Sequence, residues 1–200
     1  MQLDSNHIYH IYNRGNNSQQ IFFNRENYMF FLKKVKTYIP PYADTLAWCL
    51  MPNHFHLMIY TNRTAIELSE QVNPSHQLTR KRTLNASISI LLRSYTRAIQ
   101  KQENFTGSLF QHRTKSICLT ESSDITPAWF QTTYGTSINI TDPEKEYPQV
   151  CFNYIHQNPV RSKLVKNPVD WEFSSYWDYA GIRNGLLINR EKTRVFGLTI

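Results

Sequence analysis

Residues 45–61, TLAWCLMPNHFHLMIYT, are two runs of strand-forming residues separated by Pro52 and Asn53 alone. Their β-branched, aromatic and apolar content predicts strands over 45–51 and 54–61, and a two-residue connection makes the pair an antiparallel hairpin. Any fold for this chain has to be built around that sheet. In the second strand, the side-chain period of two sends Phe55, Leu57 and Ile59 to one face and His54, His56, Met58 and Tyr60 to the other. Two imidazoles at i and i+2 have Cβ atoms roughly 7 Å apart and can converge on one cation. The plain alternative is ordinary polarity on a partly exposed strand face.

The flanking sequence predicts the rest of the architecture. HIYHIYN (7–13) alternates as a first strand and ends at the turn NRGNN. NRENYMFFLKKVKTYI (24–39) is a helix with Asn24 as its N-cap, and PPYAD breaks it. Residues 62–83 are polar, with NPSHQLTRKR read as a loop or a short extra helix. A long helix follows at 84–102, its apolar stripe formed by Ile88, Leu91, Leu92, Tyr95 and Ile99. Residues 107–120 are a turn and a strand, and 147–160 a third helix, with Pro148 in its first turn and Asn158-Pro159 at its end. The tail carries an aromatic, packed DWEFSSYWDYAG and a strand-like TRVFGLTI. The order strand, helix, two strands, helix, strand, helix predicts an α+β fold. It is close to the ferredoxin-like (RRM-like) pattern, an antiparallel sheet with helices packed on it.

Composition narrows the class. With 200 residues and 14% aromatics the chain is long and apolar enough for one globular domain. No apolar stretch has the form of a secretory leader or the length of a membrane span, so no membrane partner is expected. Cys49, Cys118 and Cys151 are far apart and lack any CxxC pairing, which fits reduced thiols and a cytoplasmic location. Residues 76–115 hold eight Lys and Arg against the single carboxylate of Glu103, a surplus equal to the +7 of the entire chain. A positive field concentrated in this way favours a polyanion such as a nucleic-acid backbone.

A second constellation lies about a hundred residues after the histidines. FNYIHQNPV places Tyr154 and Asn158 at i and i+4 on one helix face. The amide oxygen of Asn158 could join the imidazoles as a third metal ligand, leaving the Tyr154 phenol one turn away as a nucleophile. Twelve tyrosines are present, and Tyr95, flanked by Arg93 and Arg97, is the main rival. It belongs to an apolar stripe, however, and so reads as core.

These segments resemble a known family. MPNHFH, NYIHQNPVRSKLV and WEFSSYWDYAG, together with YNRGNN and GSLFQHRTKS, are similar to the IS200-like, or REP-associated, tyrosine transposases of bacteria, over about residues 7–181. The resemblance implies a single-strand DNA transesterase of the HUH type, its triplet being His54-Phe55-His56. It implies Tyr154 as nucleophile, Asn158 as third ligand, and Mg2+ or Mn2+ as the ion. The product would be a 5′-phosphotyrosine and a free 3′-hydroxyl, formed on single-stranded or hairpin DNA during DNA transposition. Relatives occur as a homodimer that exchanges the tyrosine helix or as monomers. On this reading residues 1–181 are the catalytic domain, with 121–146 as an inserted loop, and 182–200 are a C-terminal extension.

Asn13 and Arg14, at the end of the first strand, and Arg113 and Lys115, in the later one, are expected DNA contacts. Trp129 and Phe130 could stack on unpaired bases. Two other readings stay open. One is a domesticated, non-catalytic hairpin-binding protein, and the other a metal-dependent nuclease that uses water.

Overall fold

The structure, a computed structural model, describes residues 1–73, 76–121, 129–132, 135–138 and 143–200, with side chains at 1–68, 79–121 and 146–200. The chain runs through β1 (Ile8–Arg14), α1 (Arg25–Tyr38), β2 (Ala43–Met51), β3 (His54–Thr61) and the hairpin β4 (Ala65–Asn73) and β5 (His76–Thr83). Then come α2 (Leu84–Glu103), β6 (Lys115–Cys118), a small hairpin of β7 (Trp129–Thr132) and β8 (Gly135–Ile138), α3 (Pro143–Arg161), and the short α4 (Tyr176–Tyr179) and α5 (Arg190–Val195). The central sheet has the order β2-β3-β1-β6 with every pair antiparallel. With α1 and α2 as crossovers this is the expected α+β, ferredoxin-like arrangement.

Local chemistry sets the helix ends. The Asn24 side chain accepts the N–H of Asn27 at 3.0 Å, and the Thr83 hydroxyl accepts that of Ala86 at 3.1 Å. Asn104 closes α2 in a left-handed conformation at φ 51°. Both helices cover one sheet face, where Phe31, Val35, Ile88, Leu91, Tyr95 and Ile99 meet Phe55, Leu57 and Ile59. The opposite face is buried too. There Cys151, Phe152 and Ile155 of α3 pack on Ile8, Leu46, Cys49 and Met58. The alternation in β3 therefore separates two cores, and its histidines stand on the α3 side.

The segment after α3 fastens that helix to the sheet. The Ser175 hydroxyl lies 2.8 Å from His156 Nε2 and accepts the N–H of Trp48 on β2 at 2.9 Å. Leu50 donates its N–H to the carbonyl of Phe173 at 2.9 Å. Residues 182–200 run back over the molecule. Leu198 enters the second core, and Thr199 N–H donates to Gln149 Oε1 of α3 at 2.9 Å.

Several local expectations are corrected. Residues 76–83 are neither loop nor helix: they pair with β4, Glu67 lying opposite Lys81 and Ile66 opposite Arg82. Cross-strand charge pairing supports such a ladder without a second buried face. The turn and strand expected over 107–120 are present as a loop hooked to the Asn13 side chain, described below, and the short strand Lys115–Cys118. Pro148 and Pro159 both lie inside α3 rather than at its ends. The strand-like TRVFGLTI (193–200) forms no strand; it starts within the helix Arg190–Val195, begun by Asn189 accepting the N–H of Lys192 at 2.9 Å, and continues as irregular chain. Within segment 121–146 the described residues include the β7–β8 hairpin and the first turn of α3. The side chains of Trp129 and Phe130 lie outside the described residues.

Candidate active site

His54 opens β3 directly after the Pro52-Asn53 turn, with Arg14 opposite it on β1; two residues on, His56 lies between Tyr12 of β1 and Cys49 of β2. Their alternation gives both rings to the face that α3 covers. Asn158 of α3 is 5% exposed and points its amide between them. Its Oδ1 lies 3.2 Å from His54 Nε2, and its Nδ2 lies 3.2 Å from His56 Nε2. The structure thus brings together the three residues expected as metal ligands.

The outer nitrogens of the two rings are also engaged. His54 Nδ1 is 2.6 Å from Asn53 Oδ1, and His56 Nδ1 is 2.8 Å from His10 Nε2. Burial lowers the pKa of all three imidazoles. His10 falls to about 4, and His56 falls well below the usual histidine range, its neighbours His10 and His54 adding to the effect. For His54 burial again dominates, opposed by its contact with Asn158 and reinforced by the charge of Arg14. Neutral imidazoles keep one lone pair each, the form a metal needs.

The donor set fits a divalent ion. Neutral His54 has one N–H but faces an amide oxygen at each nitrogen. If the shorter contact, to Asn53, takes that proton, the Nε2 lone pair is left facing the Asn158 oxygen. Two acceptors face to face is an arrangement that a cation between them relieves. Ligands at right angles on an octahedral ion with bonds of about 2.1 Å lie about 3 Å apart, close to the 3.2 Å seen here.

Tyr154, one turn before Asn158, is half-buried, with its ring edge-on to His56 at 5.4 Å and to His10 at 6.1 Å. The guanidinium of Arg161 stands 5.3 Å from the centre of the same ring. One stripe of α3 thus presents Tyr154, Asn158 and Arg161 at i, i+4 and i+7. An open cleft of about 260 Å³ leads to this group. Tyr154, His54 and His56 line it, with the exposed Arg14, Arg113 and Lys115 around them. Asn13 also lines the cleft, but it is buried and its amide is committed. Its Nδ2 donates to the Gln111 carbonyl and to Thr114 Oγ1, and its Oδ1 accepts the N–H of Arg14. The rival Tyr95 is fully buried in the α1–α2 core and donates its hydroxyl to the Ile21 carbonyl at 2.7 Å, which leaves it no access to DNA.

A solved structure of a REP-associated tyrosine transposase bound to a REP hairpin aligns with this chain. The alignment has a TM-score of 0.57, covers 95% of each chain and runs at 14% sequence identity. The two proteins share a fold. No protein-family model matches the sequence, and no curated protein is similar to it. At that identity the likeness speaks for the architecture, and the chemistry has to come from the residues.

Sequence reasoning missed His10 and Arg161. Arg161 was within reach, since it continues the i, i+4 stripe by one more turn. His10 shares the HIYHIYN strand with Tyr12, but only the pairing of β1 with β3 brings it to His56. Elsewhere, His7, Cys118 and Glu121 bring ligand atoms within 4.8 Å of one another, a group able to hold a metal ion. They lie by the start of β1, roughly 20 Å from its Arg14 end by strand rise, and so are no part of the cleft.

Proposed function

We propose that this chain is a metal-dependent tyrosine transposase that cleaves and rejoins single-stranded DNA near hairpins. The observation that carries the reading is the Asn158 amide set between His54 and His56, with Tyr154 of the same helix edge-on to His56. His54, His56 and Asn158 would hold Mg2+ or Mn2+. When bound, the ion supplies Lewis acidity toward a non-bridging oxygen of the scissile phosphate. The Tyr154 oxygen forms a bond to phosphorus and gives its proton to solvent. The bond from phosphorus to the 3′-oxygen breaks, and that oxygen takes a proton to leave a 3′-hydroxyl. The 5′-phosphotyrosine conserves the energy of the phosphodiester, so attack by another 3′-hydroxyl rejoins DNA without further input. Arg14, Arg113 and Lys115 would contact the backbone, with Asn13 holding the loop that carries Arg113.

His54, His56, Asn158 and Tyr154 meet within one chain, and we read the cleavage centre as formed by a single subunit. The test is a labelled single-stranded hairpin oligonucleotide from DNA flanking the gene, incubated with Mg2+ or Mn2+ and run on a denaturing gel. A labelled band heavier by the mass of the protein is expected, absent with EDTA and with Tyr154→Phe, while Tyr154→Phe still binds the hairpin. Adduct formation by Tyr154→Phe would refute the assignment, and cleavage without an adduct would favour a water nucleophile. Mixing Tyr154→Phe chains with His54→Ala/His56→Ala chains should restore no adduct.

A further inference from the structure

We propose that His10 is a positioning residue, which holds His56 in the one tautomer that can bind the ion. The inference rests on the metal site proposed above. His56 is 4% and His10 6% exposed, so neither ring exchanges its hydrogen bonds freely with water. His10 Nε2 lies 2.8 Å from His56 Nδ1, and both atoms are buried. A contact of that length needs one proton between two nitrogens. On the far side of the His56 ring, Asn158 Nδ2 is 3.2 Å from Nε2. An amide nitrogen only donates, so Nε2 of His56 is the acceptor and its proton sits on Nδ1. That proton is the one given to His10. The same arrangement leaves the Nε2 lone pair aimed at the point where Asn158 and His54 converge.

Packing makes His10 a rigid acceptor. Its ring is stacked on Tyr12 at 4.8 Å, lies edge to edge with His56 at 27° with 5.0 Å between centroids, and is met edge-on by Tyr154. The two proposed ligands are thus held from opposite sides, His54 by Asn53 of its own turn and His56 by the neighbouring strand. Partners of this kind fix ring orientation and raise ligand basicity, and their loss costs about 10- to 100-fold in metal affinity.

The experiment compares purified wild-type protein with His10→Phe, which fills the space without an acceptor, and His10→Gln, which restores one. Mn2+ affinity is read by titration calorimetry, and the tautomer of His56 by 15N NMR of histidine-labelled, metal-free protein. Expected are an Nδ1–H signature for His56 in the wild type and Mn2+ binding about 10- to 100-fold weaker in His10→Phe, with recovery in His10→Gln. Wild-type affinity in a folded His10→Phe would overturn the proposal, as would an Nε2–H tautomer of His56 in the wild type. A His54→Ala/His56→Ala control separates the two levels of inference. If Mn2+ binds that variant unchanged, the metal site itself is elsewhere and the role of His10 falls with it. If the control loses Mn2+ and His10→Phe does not, only the role of His10 fails.

Discussion

At the scale of single residues the proposed site depends on where protons and lone pairs are held, and the amide of Asn13 is one such committed group. Both ends of its buried amide are occupied, tying the loop through Gln111 and Thr114 to the end of β1. Asn13→Ala should cost about 1–3 kcal/mol, since it strands hydrogen-bonding groups that are partly buried. It should also weaken hairpin binding through the released Arg113 loop while leaving Mn2+ affinity unchanged. Urea unfolding together with a filter-binding titration would check this, and intact binding in the destabilised variant would count against the loop's role. His54, His56, Tyr154 and Asn158 were legible in the sequence because their spacings coincide with the strand period of two and the helix spacing of four. His10 was not, because a contact across two strands has no local signature.

Among the elements, α3 carries the most weight, since it brings the proposed nucleophile Tyr154, the proposed ligand Asn158 and the guanidinium of Arg161 to the sheet on one stripe. Its position depends on the link from His156 through Ser175 to the backbone of Trp48. Ser175→Ala would leave the buried His156 nitrogen and the Trp48 N–H without that partner. We expect about 1–3 kcal/mol of destabilisation in chemical denaturation and a slower rate of adduct formation. An unchanged adduct rate would mean that the apolar contacts of Phe152 and Ile155 hold the helix unaided. The same element shows what could and could not be read from sequence. Its existence was clear, but Pro159 suggested an end that the helix passes, because a missing N–H and a crowded carbonyl cost less than the tertiary packing around it returns. The β4–β5 ladder was hidden for a related reason, as its sequence shows no apolar alternation over most of its length.

For the whole molecule, a sheet buried on both faces means that several imidazoles fold in the neutral state. Burial lowers His10 to about 4 and His156 to about 3, and pushes His56 well below the usual histidine range. Below about pH 6.5 the unfolded chain binds protons that the folded chain refuses, so stability falls as pH falls and is fully present above that range. In metal-free protein each such histidine should steepen the loss toward about 1.4 kcal/mol per pH unit. Equilibrium unfolding at a series of pH values measures this directly, and a flat profile from pH 7 to 5 would show the rings to be solvated.

The proposed ligands are drawn from two layers, two imidazoles on the sheet and one amide on the helix that bears the tyrosine. An ion seated among them is then also a rivet. At a concentration a hundred times its dissociation constant it would add about 2.7 kcal/mol to the folded state, spent on holding the tyrosine-bearing arm against its anvil. On the proposed reading, binding the ion and bracing the tyrosine-bearing helix against the sheet would be one event.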